Sequence, residues 1–272
     1  MTVRTALLQG VRLLEDSQVA VPRLTAEVLL AHAVGCRKEW LYAHGGDELK
    51  EVWWIHFGRY LHERMNGKPT QYITKTQEFY GRDFRVTPAV LIPRPETEHV
   101  VEAALSRLDG PAIDVGTGSG VIAVTLALES GRPIFATDIS GEALAVATAN
   151  ASKLGAKVEF VRADLLDCLA NCSLQLVVSN PPYIPETESE SLQREVRDFE
   201  PHLALFGGVD GMDVYGRLIT GAWRVLRPGG WLVMELAYNV GGKVNALMED
   251  WQLVELVPDL AGHPRVIVGR KV

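Results

Sequence analysis

Asp114-Val115-Gly116-Thr117-Gly118-Ser119-Gly120 stands where an apolar run, Ile113-Asp114-Val115, gives way to a helical pattern beginning at Val121. Glycines at a strand-to-helix junction let the backbone turn tightly and approach a ligand closely. The dinucleotide fingerprint G-x-G-x-x-G/A requires Gly or Ala at position 121, and Val121 stands there. The loop therefore serves a ligand other than a pyrophosphate dinucleotide. Asp138 closes the next apolar run, Ile134-Phe135-Ala136, where a carboxylate can accept hydrogen bonds from two ribose hydroxyls.

Outward from this loop, strand and helix patterns alternate. Val158-Glu159-Phe160-Val161, Leu176-Val177-Val178 and Trp231-Leu232-Val233-Met234 are further strand candidates, with helical segments between most of them. Such alternation predicts an α/β fold with a doubly wound, mainly parallel sheet. Leu253 to Val257 and Val266-Ile267-Val268 are joined by a loop too short for a helical crossover, which predicts an antiparallel edge hairpin. Toward the amino terminus, Leu7, Val11 and Leu14, then Leu24, Val28 and Leu29 after Pro22, then Trp53, Phe57, Tyr60 and Leu61, recur at helical spacing. They predict a small helical bundle over residues 1–70. Across 71–92, Tyr72-Ile73, Glu78-Phe79-Tyr80, Phe84 and Val86 flank Gly81-Arg82-Asp83, a pattern that predicts a β-hairpin linker. Residues 93–272 form the remaining domain, entered through Pro93-Arg94-Pro95-Glu96-Thr97-Glu98, a stiff turn that starts a helix near Glu96 or Thr97.

Composition narrows the function classes. The chain has 272 residues, 47% hydrophobic and 22% charged, with a net charge of −7. Those values are globular and exclude a disordered or collagen-like chain. The acidic excess lies beyond residue 70, which disfavours a protein living on nucleic-acid phosphates. Cys36, Cys168 and Cys172 form no CxxC pair, and His32, His44, His56 and His62 match no metal-ligand spacing. The first ten residues lack the apolar stretch of a signal peptide, and Val121 to Leu128 is too short to span a bilayer, so a cytoplasmic location is expected.

A G-x-G-x-G loop preceded by Asp, with an acid closing the second strand, resembles the class I S-adenosylmethionine-dependent methyltransferases, a Rossmann-like fold. That cofactor has no pyrophosphate, so the loop passes under an amino-acid moiety and a sulfonium. Leu165, after Asp164 and the third strand, is placed to cover a face of the adenine ring.

The fourth strand runs into Ser179-Asn180-Pro181-Pro182-Tyr183. Consecutive prolines after a buried strand donate no backbone hydrogen bonds. The acceptor chemistry explains such a loop. A planar NH2 conjugated to a carbonyl or ring is a poor nucleophile, so an enzyme must accept both N–H hydrogens and leave the nitrogen facing the methyl group. The Asn180 side-chain carbonyl takes one hydrogen and a rigid backbone carbonyl, that of Pro181, takes the other. Tyr183 offers a flat surface for a planar acceptor. Adenine, cytosine and a glutamine amide all pose this problem. A DNA methyltransferase normally carries extra duplex-binding surface, and the only addition here is a near-neutral helical domain. A protein substrate is favoured.

Across nearly its whole length the sequence resembles the PrmC/HemK family of peptide chain release factor glutamine methyltransferases. The carriers are Pro22 to Glu27, Glu78-Phe79-Tyr80-Gly81, Leu91 to Glu98, Asp114 to Gly120, Asn180 to Tyr183, Phe199 to Gly208 and Pro264 to Arg270. The resemblance implies methylation at N5 of the glutamine in the Gly-Gly-Gln motif of release factors, which are then the protein partners. It implies that Gly116, Thr117, Gly118, Ser119, Gly120, Asp138, Leu165 and Asn180 contact S-adenosylmethionine. Asn180, Pro181, Pro182 and Tyr183 would hold the glutamine, and the helical domain would grip the release factor. A related family that methylates a ribosomal protein shares the Asn-Pro-Pro-Tyr chemistry, and an N6-adenine DNA methyltransferase is the other alternative. Lys75 stands where relatives usually carry glycine, which leaves the local backbone there open.

Overall fold

In a computed structural model that describes residues 1–237, 240–259 and 261–272, the chain divides into two compact units. The first comprises Met1–Lys75 with Gln193–Phe199, and the second Thr76–Leu192 with Glu200–Val272.

The first unit holds helices α1 (Val3–Asp16), α2 (Pro22–Val34), α3 (Lys38–Ala43), α4 (Glu51–Met65) and α5 (Thr70–Thr74). Thr2 caps α1 by accepting from the Thr5 amide at 3.2 Å, and Pro22 opens α2 where its missing N–H costs nothing. The buried face of α1 is Val3, Ala6, Gly10 and Leu14, so Leu7 and Val11 flank the core stripe rather than centre it. Gly10 is required there because a Cβ would lie 2.5 Å from the Phe57 ring. Leu24, expected in the core, is exposed, and α2 packs through Ala26, Leu29 and Leu30 instead. Tyr72 and Ile73 are buried in α5 and take no part in the hairpin. Lys75 ends α5 in the left-handed region at φ +62°, its amide donating to Gln71 O. Within the same unit Arg64 pairs with Glu195 at 2.7 Å.

The second unit opens with a two-stranded hairpin, β1 (Thr76–Phe79) and β2 (Arg82–Arg85), in which Phe79 pairs with Arg82. The turn is therefore Tyr80-Gly81, both at positive φ, one residue shorter than the Gly81-Arg82-Asp83 turn expected. A seven-stranded sheet follows, built from β3 (Ala112–Val115), β4 (Ile134–Asp138), β5 (Val158–Arg162), β6 (Leu174–Ser179), β7 (Leu226–Glu235), β8 (Gln252–Pro258) and β9 (Pro264–Arg270). Its order is β5-β4-β3-β6-β7-β9-β8. The first five strands in that order pair in parallel, and β9 and β8 pair antiparallel, as the sequence predicts.

Alternate residues of each strand serve opposite faces. Ala112, Leu176, Val178 and Val233 join one core with the helices α6 (Glu98–Leu105) and α7 (Val121–Ser130). Ile113, Val115, Val177, Leu232 and Met234 join the other, with Tyr215, Leu218 and Ala222 from a helix at Asp213–Val225. After β3 the chain moves one way to β4, and the strand on its other side, β6, is reached later. The crevice beyond the carboxyl ends of the strands at such a switch point is where open α/β sheets bind ligands.

Candidate active site

Asp114 is wholly buried in the middle of β3, an anomaly among apolar neighbours. Its Oδ2 accepts from the Thr117 hydroxyl at 2.6 Å and the Ala123 amide at 3.2 Å, while Oδ1 is buried with no partner. Burial pushes its pKa up to about 7. The carboxylate thus ties the glycine loop to the first turn of α7 from beneath. Gly116, Gly118 and Gly120 all have positive φ. Gly116 and Gly118 face open space, whereas a Cβ on Gly120 would lie 3.1 Å from Ala147 Cβ. Two of the glycines therefore leave room above the loop, and the third lets α7 pack closely.

Asp138 ends β4 beside that room. Its Oδ2 accepts from the Gly118 amide and its Oδ1 from the Ser140 amide, each at 2.9 Å. The same cleft is lined by Gly116, Thr117, Gly118, Ser119, Asp138, Leu165 and Asn180. Gly120 lies behind it, at the start of α7. Leu165 takes a left-handed conformation, and its carbonyl accepts from the Thr137 hydroxyl at 3.0 Å. Asp164 pairs with Arg217 at 2.7 Å.

Asn180 follows β6 on the opposite wall, with Pro182 lining the cleft next to it. Pro181 is buried and Tyr183 packs against the second core; neither lines the cleft. The loop is braced by the segment after Glu200. Ile184 N donates to Leu205 O at 2.9 Å, and Gly207 N donates to Ile184 O at 3.0 Å. A Cβ on Gly207 would meet the Pro182 carbonyl at 2.6 Å. Pro201, Leu203, Ala204 and Phe206 complete that side of the cleft. Asn180 Nδ2 donates to the Thr97 hydroxyl at 3.1 Å, and that hydroxyl donates to Glu235 Oε2 at 2.7 Å.

Residues 5–74 match the PrmC N-terminal domain, and residues 96–203 match the methyltransferase small domain. The release factor glutamine methyltransferase of Koribacter versatilis is 47% identical over 277 residues, covering 100% of this chain and 99% of that protein. The protein of the same name from Moorella thermoacetica is 45% identical, covering 99% and 98%. The chain belongs to the release factor glutamine methyltransferase family. Among solved structures, a methyltransferase from Pyrococcus furiosus superposes with a TM-score of 0.55 at 16% identity, over 79% of this chain and 98% of that one. A 16S rRNA N2 G1207 methyltransferase from Thermus thermophilus, in complex with AdoMet and guanosine, gives 0.52 at 16% identity, over 72% and 50%. Both carry the same methyltransferase fold.

The cleft of this family member fits S-adenosylmethionine on its own chemistry. Arg217 is the only basic side chain among the described lining residues, and it is already paired with Asp164. Such a lining gives a pyrophosphate no cation. A sulfonium cofactor needs none, and the Asp138 carboxylate in the lining favours positive charge. The chain is thus an S-adenosylmethionine-dependent methyltransferase.

The structure also adds residues that the sequence alone did not single out. Arg94 donates to Glu200 Oε1 at 2.6 Å and the Ile92 amide donates to Glu200 Oε2 at 3.2 Å, holding the lining residues Leu91 and Pro93. Thr97 was legible as a helix start, and Glu235, the last residue of β7, was not singled out. Among the described residues no cluster of His, Cys, Asp and Glu is arranged to hold a metal, and no helix is long and apolar enough to cross a membrane.

Proposed function

We propose that this protein transfers a methyl group from S-adenosylmethionine to N5 of the glutamine in the Gly-Gly-Gln motif of peptide chain release factors. The observation that carries the reading is the Asn180 amide, held on the cleft wall by its Nδ2 so that Oδ1 is left to accept a hydrogen. S-adenosylmethionine supplies, when bound, an electrophilic methyl on a cationic sulfur. Gly116 to Gly120, Asp138 and Leu165 bind it, with Asp138 taking the ribose hydroxyls and Leu165 covering adenine.

Asn180 Oδ1 accepts one hydrogen of the glutamine amide, and the Pro181 carbonyl accepts the other. The next two carbonyls in the loop, those of Pro182 and Tyr183, sit close against Gly207 and Gly211, which supports giving this role to Pro181. With both hydrogens held, the nitrogen is fixed in orientation, and the positive charge that grows on it is eased by the same acceptors. The proton leaves after transfer. Tyr183 backs the loop with its ring. The helical portion, residues 1–70, docks the release factor away from the reacting amide, and the protein works in the cytoplasm with its substrate.

The reading is tested by incubating the enzyme with methyl-labelled cofactor and, separately, purified release factor, ribosomal protein and unmethylated DNA. Label in the release factor alone supports it. Label in either of the others and not in the release factor would replace it with that substrate.

A further inference from the structure

Asn180 can serve the acceptor only if its amide points the right way, because its carbonyl accepts hydrogens and its NH2 repels them. Nothing within Asn180 sets that choice. The partner that does is the Thr97 hydroxyl, 3.1 Å from Nδ2. A hydroxyl has one proton, and the Thr97 proton goes to Glu235 Oε2 at 2.7 Å. Toward Asn180 the hydroxyl is then an acceptor, and it selects the NH2 end of the amide. Thr97 and Glu235 are both buried, so bulk solvent is kept from the bond between them.

We propose that Thr97 and Glu235 are positioning residues, which together fix the carbonyl of Asn180 toward the methyl acceptor. This rests on the reading of Asn180 as the amide-holding residue. The chain of donors has one direction only while Glu235 is ionised. A protonated Glu235 donates to Thr97, whose hydroxyl proton then turns to Asn180. The amide answers with its carbonyl, and the NH2 is left for the substrate. One proton on a carboxyl two residues removed from the acceptor reverses the site.

The surroundings of Glu235 place this reversal near neutrality. Thr97 and Glu96 face it from the segment after Pro95, Arg94 from the turn before, Arg265 from β9 and Tyr183 from the Asn-Pro-Pro-Tyr loop. Tyr215 donates to the backbone carbonyl of Glu235 at 2.9 Å. Arg94 is bonded to Glu200 and Arg265 to Asp259, so neither makes an ion pair with Glu235. Burial dominates, and holds the carboxyl up at about 7.

The test is the single-turnover methylation rate of a release factor as a function of pH, with cofactor affinity measured alongside. The wild-type rate should fall below neutrality. Thr97→Val, which keeps shape and removes the relay, should lose about 100-fold in rate, the scale of a misplaced reacting group. Its cofactor affinity should stay within about threefold, a change of under 1 kcal/mol. Thr97→Ser should restore the rate, and Glu235→Gln should lose the acid limb. A Thr97→Val rate close to wild type, or an unchanged acid limb in Glu235→Gln, overturns the proposal. Asn180→Ala separates the two layers: if it retains turnover, the amide-holding reading itself fails, whereas an inactive Asn180→Ala beside a normal Thr97→Val rejects the relay alone.

Discussion

The Gly118 amide donates to Asp138 Oδ2 at 2.9 Å, so the acid that ends β4 is bonded to the middle glycine of the loop that follows β3. Asp138 therefore does two things with one carboxylate. It organises the loop and, on this account, meets the ribose of the cofactor. Asp138→Asn replaces an acceptor oxygen by a donor and loses the charge. Cofactor affinity should fall about 10- to 100-fold, the value of one or two charged hydrogen bonds. Calorimetric titration checks it, and an unchanged Kd would remove Asp138 from the cofactor site.

Gly118 and Gly120 should separate in their effects. Gly118→Ala meets nothing within 4 Å, so its cost in stability is the left-handed backbone alone, about 1–2 kcal/mol. Its methyl group instead enters the cleft and should weaken cofactor binding. Gly120→Ala carries the same backbone cost and also drives its Cβ to 3.3 Å from the Ala147 backbone. It should destabilise by about 2–4 kcal/mol once overpacking is added. Thermal melting with and without cofactor distinguishes the two.

How far the sequence carried is clearest at the sheet. The central strands β3 and β6 are buried on both faces, so they read as apolar runs, and the antiparallel end followed from the short 258–264 connection. The glycine loop was equally legible because Gly116, Gly118 and Gly120 take the positive φ that favours glycine, and Asp138 because it is the acid that closes the next strand. Bonds between distant segments were not. Thr97 and Glu235 lie 138 residues apart, Arg94 and Glu200 lie 106 apart, and nothing local in either pair announces the other. The hairpin turn shifted because Tyr80 takes a left-handed φ, which no side-chain pattern signals.

Lys75 is another left-handed residue, at the position where the family resemblance implies glycine. The structure supplies the reason, since φ is +62° at the C-terminal cap of α5. Lys75→Gly should stabilise the first unit by about 1 kcal/mol, the left-handed penalty of a residue with a Cβ. A raised melting temperature checks this, and a lowered one would show that the Lys75 side chain contributes more than its backbone costs.

Asp114 predicts a pH dependence of stability in the absence of cofactor. Burial raises its folded pKa to about 7, above the unfolded value. The folded state then binds the proton more tightly, so this stability is present at acid pH and lost as pH rises through about 7. Asp114→Asn removes the titration. Its melting temperature relative to wild type should therefore improve between about pH 5 and about pH 8. A difference that does not change with pH contradicts the buried-carboxyl argument.

The central claim is that the cleft methylates a glutamine amide held by Asn180. Tandem mass spectrometry of the release-factor peptide containing Gly-Gly-Gln, after incubation with enzyme and S-adenosylmethionine, tests it most directly. One added methyl on the glutamine side chain is expected, and none with Asn180→Ala. A methyl on any other residue, or an unmodified glutamine after full incubation, would contradict it.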